Sequence, residues 1–389
     1  MIYDVLVIGA GIQGVGVAQA LAAAGYSVLV VEQTAPAAGT SSKSSKLIHG
    51  GLRYLESFQL GLVRESLQER KLLLELAPDL VKLKQLHIPV YSQTTRSALT
   101  IRAGLQLYRA LSKFDQDTRF KTLPKSEWGN LGGLKTEGLK TVFRYAEAQT
   151  DDAALTRAVL QSATDLGAEV KLGVKFVGAE VSDKGVRVDL RSPLNDLSVD
   201  CRVLVNCAGA WVENIISGIQ PRPPLPRVEL IQGSHLLLPP VIDHYFYLEA
   251  PSDRRAIFVL PYQGQLMVGT TEKLHQGAPE TAACSQEERH YLLSTLNYYF
   301  PHLLYHQDQI ESFAGLRVLP KNNQNAFSRS RDVMMSCDNE ASPRVVSVVG
   351  GKLTTYRATA EQVLAKIRPS LPGATARGDT RKIKLTPVT

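Results

Sequence analysis

Chemically active side chains are concentrated in residues 39–56, GTSSKSSKLIHGGLRYLE. The small serine hydroxyls let backbone amides reach a flat polar ring system, although one or two of these serines could instead cap a following helix. Gly50 and Gly51 permit close approach of the backbone to a ligand. The segment therefore predicts contact with a bound ring. His49 fits a buried structural histidine as well as a catalytic one, and its role stays open.

A strand, a glycine-rich turn and a helix lie immediately upstream of this segment and must position it. Residues 5–8 predict a strand buried on both faces, and an alanine-rich helix follows the turn. In the turn, Gly9 permits a tight bend, Gly11 lets the backbone approach a pyrophosphate, and Gly14 allows close packing of helix on strand. The free amides of the helix N-terminus would face the phosphates.

A second strand completes the unit. Gly25 ends the helix, residues 28–31 form the strand, and Glu32 follows where a carboxylate can accept both ribose hydroxyls and repel a 2′-phosphate. Residues 5–31 are also long and uncharged enough for a membrane span, but the glycines at turn positions and the lack of preceding positive charge argue against it. We therefore predict a dinucleotide-binding unit.

The order of the two segments distinguishes between dinucleotides. A nicotinamide-binding domain would continue with another strand and helix, whereas this chain inserts the serine-rich loop. This order favours FAD over NAD. Asp151 and Asp152 begin a further helix that ends at Gly167, and residues 169–171 predict the next strand.

The chain resembles the FAD-dependent glycerol-3-phosphate dehydrogenases, a group within the D-amino-acid-oxidase-like flavoproteins. The resemblance covers Asp4 to about Gly373 and rests on residues 39–56, 231–239, 255–272, 313–321 and 348–362, which occur in the family's order. Two positions depart from the family pattern, since Ala210 replaces the usual proline and Glu272 the usual aspartate. The family's helical C-terminal domain is missing from the sequence, which leaves oligomer contacts and membrane docking open.

The resemblance implies FAD as the cofactor and a set of residues that bind it. The implied cofactor-binding residues are Gly9, Gly11, Gly14, Glu32, Thr40, Ser41, Ser45, Lys46, Leu47, His49, Gly50, Gly51, Val170, Ala208, Gly209, Trp211, Gly315, Gly351, Lys352, Leu353 and Thr354. No metal site is predicted, because the four cysteines show neither metal nor redox spacing.

The implied chemistry is oxidation of a phosphorylated secondary alcohol, which requires a proton acceptor, a hydride acceptor and fixed cations. His235 is the candidate base because its ordinary pKa lies near 6.5, and Lys352, placed at the start of the last helix, competes for that role. An arginine fork suits a phosphate, which indicates Arg317 and Arg331, with Arg329 as a rival for the second position. Arg53, Tyr54 and Thr271 complete the implied substrate-binding set.

The predicted fold class is mixed α/β, with a discontinuous Rossmann-like FAD-binding domain and an antiparallel-sheet substrate domain. The FAD-binding domain is expected at residues 1–76, 145–211 and 313–367, and the substrate domain at 77–144 and 212–312. Amphipathic helices are expected after Tyr54 to about Leu76 and near residues 101–111. A chain of 389 residues with 44% hydrophobic content can bury two such cores.

Much of the net charge of +7 lies at the end of the chain. Residues 368–389 are expected to form a basic flexible tail because they contain several prolines and glycines. The tail is either solvated or attracted to anionic lipid, at about 1 kcal/mol per basic residue. Nucleic acid binding is disfavoured because no aromatic platform accompanies the charge.

These features predict FAD-dependent oxidation of sn-glycerol 3-phosphate to dihydroxyacetone phosphate, with electrons passed to a quinone or another acceptor. The expected location is cytoplasmic, either free or peripheral on the inner face of the cell membrane, since the N-terminus does not resemble a signal peptide. One alternative is a flavoenzyme that oxidises another hydroxy acid or an amino acid. Another is a flavin-binding regulatory protein without turnover.

Overall fold

A computed structural model describes residues 2–321 and 333–388 of the chain. Two residues of interest from the sequence, Arg329 and Arg331, lie outside these ranges, so their role as phosphate ligands stays a prediction.

The described residues form seven α-helices and two mixed β-sheets. The helices are α1 (Ile12–Ala23), α2 (Leu60–Leu76), α3 (Ala98–Leu111), α4 (Asp152–Asp165), α5 (Val212–Ser217), α6 (Gln286–Tyr299) and α7 (Tyr356–Ile367). The strands are β1 (Ile2–Ile8), β2 (Val28–Glu32), β3 (Leu47–Ile48), β4 (Val81–Tyr91), β5 (Phe120–Thr122), β6 (Leu139–Thr150), β7 (Glu169–Leu172), β8 (Lys175–Ser182), β9 (Gly185–Arg191), β10 (Asp196–Asn206), β11 (Ile219–Gln220), β12 (Val228–Leu238), β13 (Tyr245–Glu249), β14 (Ala256–Tyr262), β15 (Gln265–Gly269), β16 (Lys273–His275), β17 (Glu311–Pro320), β18 (Met334–Cys337) and β19 (Val345–Val349).

The first sheet has nine strands, with β1 paired in parallel to β2 on one side and to β10 on the other. Strand β10 also pairs in parallel with β19, so the end of the chain returns to the centre of the sheet. Alternate residues of β1 enter two different cores. Val5 and Val7 pack with α1, α4 and α7, whereas Leu6 and Ile8 pack with residues of β8 and β9. Burial on both faces explains why residues 5–8 of this strand are all apolar.

The second sheet has ten strands and is mostly antiparallel. Strand β12 lies between β17 on one side and β15 and β16 on the other. Strands β14 and β15 form an antiparallel pair, as expected for an antiparallel substrate sheet. Its core lies under α6 and includes Leu292, Leu296 and Phe300. The mixed α/β fold class is therefore confirmed.

The sheets divide the chain differently from the expected domain boundaries. We expected the first domain to resume near Phe313, but β17 pairs with β12 over its whole length and belongs to the second sheet. Strands β3 and β6 also belong to the second sheet, while β11 belongs to the first. The re-entry into the first sheet comes with β18. The apolar pattern of β17 did not reveal its hydrogen-bonding partner, and the domain boundaries themselves stay a prediction.

The last segment, residues 368–388, is not a flexible tail as we predicted. The Arg377 amide donates to the carbonyl of Ala23 at 2.7 Å, and the Leu385 amide donates to the carbonyl of Leu76 at 2.8 Å. Leu385 is buried in the core of the first sheet. These contacts fasten the segment across the ends of α1 and α2, despite its prolines and glycines.

Within the described residues, no helix combines the length and the hydrophobicity that crossing a bilayer requires.

Candidate active site

The glycine-rich turn forms a cradle at the carboxyl ends of β1 and β10. Gly9 has φ of 98°, and a Cβ there would lie 2.8 Å from the carbonyl oxygen of Cys207. A Cβ at Gly14 would overlap the carbonyl oxygen of Gly9. The first helical amide, that of Ile12, donates to the Ser41 hydroxyl at 2.9 Å. The serine-rich loop thus supplies a polar group to the N-terminus of α1, where a phosphate would be favoured.

Glu32 stands at the end of β2 beside this cradle. One carboxylate oxygen accepts a hydrogen bond from the Ala10 amide at 2.9 Å, and the other accepts from the Thr34 amide at 2.8 Å. Two backbone amides therefore fix the carboxylate next to the glycine turn. Val170 lies on the adjacent strand, β7, in register with Val30. This is the arrangement that a dinucleotide ribose and its base require.

A buried aspartate that sequence reasoning missed holds the serine-rich loop in place. Asp152 accepts hydrogen bonds from the Ser44 amide at 2.9 Å and the Ser44 hydroxyl at 2.6 Å. Its other oxygen forms an ion pair with Lys46 at 2.6 Å, and both side chains are almost completely buried. We predicted that Lys46 binds the cofactor, but its ammonium group lies between Asp152 and the carbonyl of Ser42. The neighbouring Asp151 is the N-cap of α4, and its side chain accepts a hydrogen bond from the Ala154 amide.

A second buried network supports Gly50. The Gly50 amide donates to the Tyr108 hydroxyl at 2.9 Å, and that hydroxyl donates to Glu147. Arg70 pairs with the same carboxylate at 2.7 Å. Burial raises the pKa of Glu147, and the charge of Arg70 opposes that shift. Sequence patterns could not predict this network, because its members come from α2, α3 and β6.

The segment before α7 closes over the 49–54 region. The Lys352 ammonium group lies 4.5 Å from the centroid of the Tyr54 ring, and the Arg53 guanidinium lies 5.4 Å from the same ring. The His49 amide donates to the Thr354 hydroxyl at 3.2 Å. The two segments from opposite ends of the chain are thus brought together. Helix α7 begins at Tyr356, so Lys352 lies in the preceding loop and not at the helix start that we predicted.

The Lys352 loop also reaches the phosphate cradle. The side chain of Gln13, in the first turn of α1, donates to the Lys352 carbonyl at 3.2 Å. A Cβ at Gly351 would approach the Gln13 amide nitrogen to 2.7 Å. Leu353 packs against the core beneath. Gly351 therefore permits the close contact between the last loop and the first helix.

Residues 208–211 lie just beyond the carboxyl end of β10. The Ala208 amide donates to the Asn206 side chain at 3.1 Å, and Gly209 has φ of 55°. The Trp211 indole donates to Glu280. A Cβ at Gly39 would lie 3.4 Å from the Trp211 ring, so this turn borders the start of the serine-rich loop.

His235 lies on β12 with its ring between the loop and β17. Its Nε2 is 2.9 Å from the Ser45 hydroxyl, and its ring stacks on Phe313 with 4.8 Å between centroids. Burial lowers the pKa of His235 to about 3, and the charges of Arg317 and Lys46 contribute to that shift. Its Nδ1 is buried, and none of the described groups hydrogen-bonds to it. At neutral pH the imidazole is therefore neutral, and one of its ring nitrogens has no hydrogen-bond partner among the described groups.

Arg317 lies on the same face of the sheet as His235. In the β12–β17 pairing, Ile231 is opposite Arg317 and His235 is opposite Phe313, and directly opposite residues point to one side. The guanidinium is partly exposed and lies 3.7 Å from the Glu272 carboxylate. Between these positions, a Cβ at Gly315 would meet the carbonyl of Lys43 at 2.7 Å. This face of the sheet therefore packs directly against the serine-rich loop.

Two further predicted residues have their side-chain hydroxyls engaged within the protein. Thr40 donates to the Leu316 carbonyl at 2.7 Å, which ties the loop to β17. Thr271 donates to Glu288 at 2.5 Å and accepts from the Ser234 amide at 2.8 Å. Leu47 is buried in a small cluster that includes Leu260 and Met267.

The residues present fit an FAD molecule. Glycines clear the phosphate cradle, Glu32 is fixed beside it, and a polar loop leads from the cradle to a buried, incompletely bonded histidine. The glycine-rich turn with the parallel strands around it defines a dinucleotide-binding fold, and the second sheet over the loop defines a flavoprotein of the two-domain oxidoreductase type.

Comparisons with known proteins narrow this class. The model of the family "FAD dependent oxidoreductase" (DAO) matches residues 4–357. The chain is 40% identical over 377 residues to a glycerol-3-phosphate dehydrogenase of Pseudomonas aeruginosa, covering 95% of this chain and 72% of the relative. It is 34% identical to a D-erythritol 1-phosphate dehydrogenase of Brucella abortus, covering 95% of this chain and 74% of the relative.

A solved structure gives the same result. The glycerol-3-phosphate dehydrogenase of Bacillus halodurans, complexed with FAD, superposes with a TM-score of 0.77 at 26% identity, covering 99% of this chain and 68% of that one. The chain belongs to the FAD-dependent oxidoreductase family and, within it, to the glycerol-3-phosphate dehydrogenase group, which confirms the resemblance seen in the sequence. Its cofactor is FAD.

Proposed function

We propose that this protein oxidises sn-glycerol 3-phosphate to dihydroxyacetone phosphate and passes the electrons to a quinone. The observation that carries the proposal is the pairing of His235 and Arg317 on one face of the sheet, toward the serine-rich loop. A neutral imidazole can take the hydroxyl proton, while an arginine fork can hold a phosphate. The names of the relatives from Pseudomonas and Bacillus support this substrate.

The proton would be held at Nδ1 of His235. Ser45 occupies Nε2, so the ring orientation is fixed before the substrate binds. The pKa of His235 is lowered first by burial and second by the charge of Arg317. A substrate dianion next to Arg317 would offset that second cause and make the imidazole a stronger base. Phosphate binding and proton abstraction would then be coupled through charge.

FAD, when bound, supplies the hydride acceptor. Arg53 and Lys352 both lie against the Tyr54 ring, and two cations at that point favour negative charge nearby. We assign Lys352 this electrostatic role and His235 the role of base. Arg53 and Tyr54 would border the substrate. Thr271 would act through its hydrogen bonds to Glu288 and to the Ser234 amide.

A second candidate is a longer phosphorylated polyol. The D-erythritol 1-phosphate dehydrogenase of Brucella is similar over 95% of this chain, and both substrates would present a phosphate to Arg317. The expected alternative of a hydroxy acid or an amino acid would place a carboxylate there instead.

An anaerobic experiment separates these candidates. The purified holoprotein is mixed with sn-glycerol 3-phosphate, D-erythritol 1-phosphate, glycerol, lactate or glycine, and bleaching of the flavin absorbance is followed. We expect rapid bleaching with glycerol 3-phosphate and slow bleaching with glycerol. Faster reduction by erythritol 1-phosphate would establish the second candidate, while reduction by lactate or glycine alone would refute both phosphorylated substrates.

The variant Arg317→Ala tests the phosphate assignment. Removing one partner of a charge-assisted contact costs about 2 to 5 kcal/mol, or roughly 30-fold to several thousandfold in the efficiency of flavin reduction. The variant should still purify yellow, and its rate with glycerol should change little. The matched control is Arg191→Ala, which removes an exposed arginine paired with Asp196. Equal slowing with glycerol 3-phosphate and glycerol would contradict the assignment.

We propose peripheral contact with the inner face of the cell membrane, where a quinone is accessible. Arg381 and Lys382 are exposed on the docked terminal segment. Reversing both charges, in Arg381→Glu/Lys382→Glu, should reduce sedimentation with anionic phosphatidylglycerol vesicles, most strongly at low salt. The control Lys175→Glu/Lys184→Glu has the same charge change at two other exposed lysines. Equal sedimentation of the two variants would contradict docking through this segment.

A further inference from the structure

The part of the second sheet that packs on the serine-rich loop, strands β12 and β17, forms the roof of the active site. Glu288 is a buried carboxylate on the other side of this roof. One of its oxygens accepts hydrogen bonds from the Ser234 hydroxyl at 2.8 Å and the Thr271 hydroxyl at 2.5 Å. The other accepts from the Gln232 side chain at 2.8 Å and the Ser285 amide at 3.0 Å. Four donors from three separate segments therefore converge on one side chain that is 5% exposed.

The bonding pattern requires an ionised acceptor. Burial raises the pKa of Glu288, but the bonds from Ser285, Thr271 and Ser234 outweigh it, and the pKa lies below its ordinary value. A carboxylate accepts at both oxygens, whereas a glutamine would present a donor to at least one of these groups. Within the first turn of α6 the negative charge is also favoured by the helix dipole.

The position of Glu288 relative to the sheet links it to the reacting groups. Along β12, the side chains of Gln232 and Ser234 point toward Glu288, whereas Gly233 and His235 lie at positions that face the opposite side of the sheet. A Cβ at Gly233 would lie 3.1 Å from the Arg317 guanidinium, so that arginine lies across Gly233. The two side chains that flank Gly233 are therefore both fixed by one carboxylate.

Thr271 follows strand β15 and also binds Glu288. Its hydroxyl hydrogen is committed to Glu288, and one of its lone pairs accepts from the Ser234 amide. The next residue, Glu272, is the ion-pair partner of Arg317 at 3.7 Å. The hydroxyl of Thr271 thus joins the strand that bears His235 to the segment that orients Arg317.

We propose that Glu288 is a positioning residue, which sets the distance between His235 and Arg317 by holding Ser234 and Thr271 from behind the sheet. This inference rests on the proposed function, because it assigns His235 and Arg317 to one substrate. Glu288 does not touch the substrate. The distance that it sets between His235 and Arg317 must match the distance between the hydroxyl and the phosphate of one substrate molecule. Thr271 connects Glu288 to the segment next to Arg317.

The test compares Glu288→Gln with Glu287→Gln in the FAD-loaded protein. Glu287 is in the same helical turn but is exposed and pairs with Lys273 at 2.8 Å. A misplacement of about 1 Å at reacting groups can cost about 100-fold, so we expect Glu288→Gln to lower the rate of flavin reduction at saturating glycerol 3-phosphate about 10- to 100-fold. The FAD content should be unchanged, and Glu287→Gln should match the wild type.

Two variants of Thr271 separate positioning from general structural damage. Thr271→Ser keeps the hydroxyl that binds Glu288, so its rate should stay well above that of Thr271→Val. Thr271→Val removes the hydroxyl and should resemble Glu288→Gln. The proposal is overturned if Glu288→Gln reduces as fast as Glu287→Gln, or if Thr271→Val and Thr271→Ser behave alike.

Hydrogen exchange tests the role of Glu288 without any substrate. The Ser234 amide donates to Thr271, so the peptide that contains it should exchange faster in Glu288→Gln than in Glu287→Gln. If the wild type is not reduced by glycerol 3-phosphate, the proposed function fails, while faster exchange in this peptide still supports the role of Glu288. Unchanged exchange would refute that role even if the proposed function holds.

Discussion

The phosphate cradle and the roof of the active site are built in different ways. The cradle lies within residues 9–32 and is shaped by backbone groups, glycines and one carboxylate held by amides. The roof and the serine-rich loop beneath it depend on three buried carboxylates, Asp152, Glu147 and Glu288, each of which binds groups from distant segments. The cradle therefore depends mainly on small residues, whereas the roof and the loop depend also on buried charges and their partners.

The largest effect is expected at Asp152. The variant Asp152→Ala leaves the buried Lys46 ammonium group without its counter-ion, which costs about 3 to 5 kcal/mol. Urea unfolding with excess FAD measures the free energy. The control Asp196→Ala breaks an exposed pair with Arg191 and should cost less than about 1 kcal/mol. Similar losses in the two variants would show that the buried pair of Asp152 and Lys46 contributes no more to stability than an exposed pair.

The next largest effect is expected at Gly14. A methyl group there would overlap the carbonyl oxygen of Gly9, which is backbone and cannot rotate away. Overpacking of this kind costs up to about 3 kcal/mol, so Gly14→Ala should weaken FAD binding roughly 100-fold, measured by titration of the apoprotein. Gly61→Ala is the control, because Gly61 lies in α2 with open space around it. That change should stabilise the protein by about 0.5 to 1 kcal/mol.

The smallest effect concerns pH and the roof. The pKa of His235 falls from 6.5 to about 3 on folding, chiefly through burial. Between these values the unfolded chain binds a proton that the folded chain does not, so stability is lost as the pH falls below 6.5. The slope from this group is at most about 1.4 kcal/mol per pH unit.

The variant His235→Gln removes this contribution, and the exposed His290→Gln should leave it in place. The measurement is the free energy of unfolding in urea at pH 5, 6 and 7.5. His87 adds a parallel dependence, since burial lowers its pKa to about 4, so the variant should flatten the curve only in part. An identical slope in His235→Gln and the wild type would mean that His235 titrates normally.

The sequence predicted those structural features that depend on a few neighbouring residues. The strand at residues 5–8, the glycine turn and Glu32 follow from local patterns, and the structure places them as expected. His235 and Arg317 were found through longer motifs, but their shared face depends on the β12–β17 register. Asp152, Glu147 and Glu288 were missed because an acidic residue in a helix or strand looks the same whether its side chain faces water or a buried partner. The pairing of β17 with β12 could not be predicted, because strand pairing is not encoded locally.

The pairing of β19 with β10 determines when the first sheet can be completed during synthesis. Strand β1 precedes its parallel neighbour β10, which pairs on its far side with β19, and the loop at Gly351 closes over Gln13. At about 5 to 20 residues per second, a ribosome needs roughly 20 to 70 s to make the residues from β1 to β19. The nascent glycine-rich unit spends that time without these partners. The phosphate cradle is therefore completed only after β19 and the loop at Gly351 have been made.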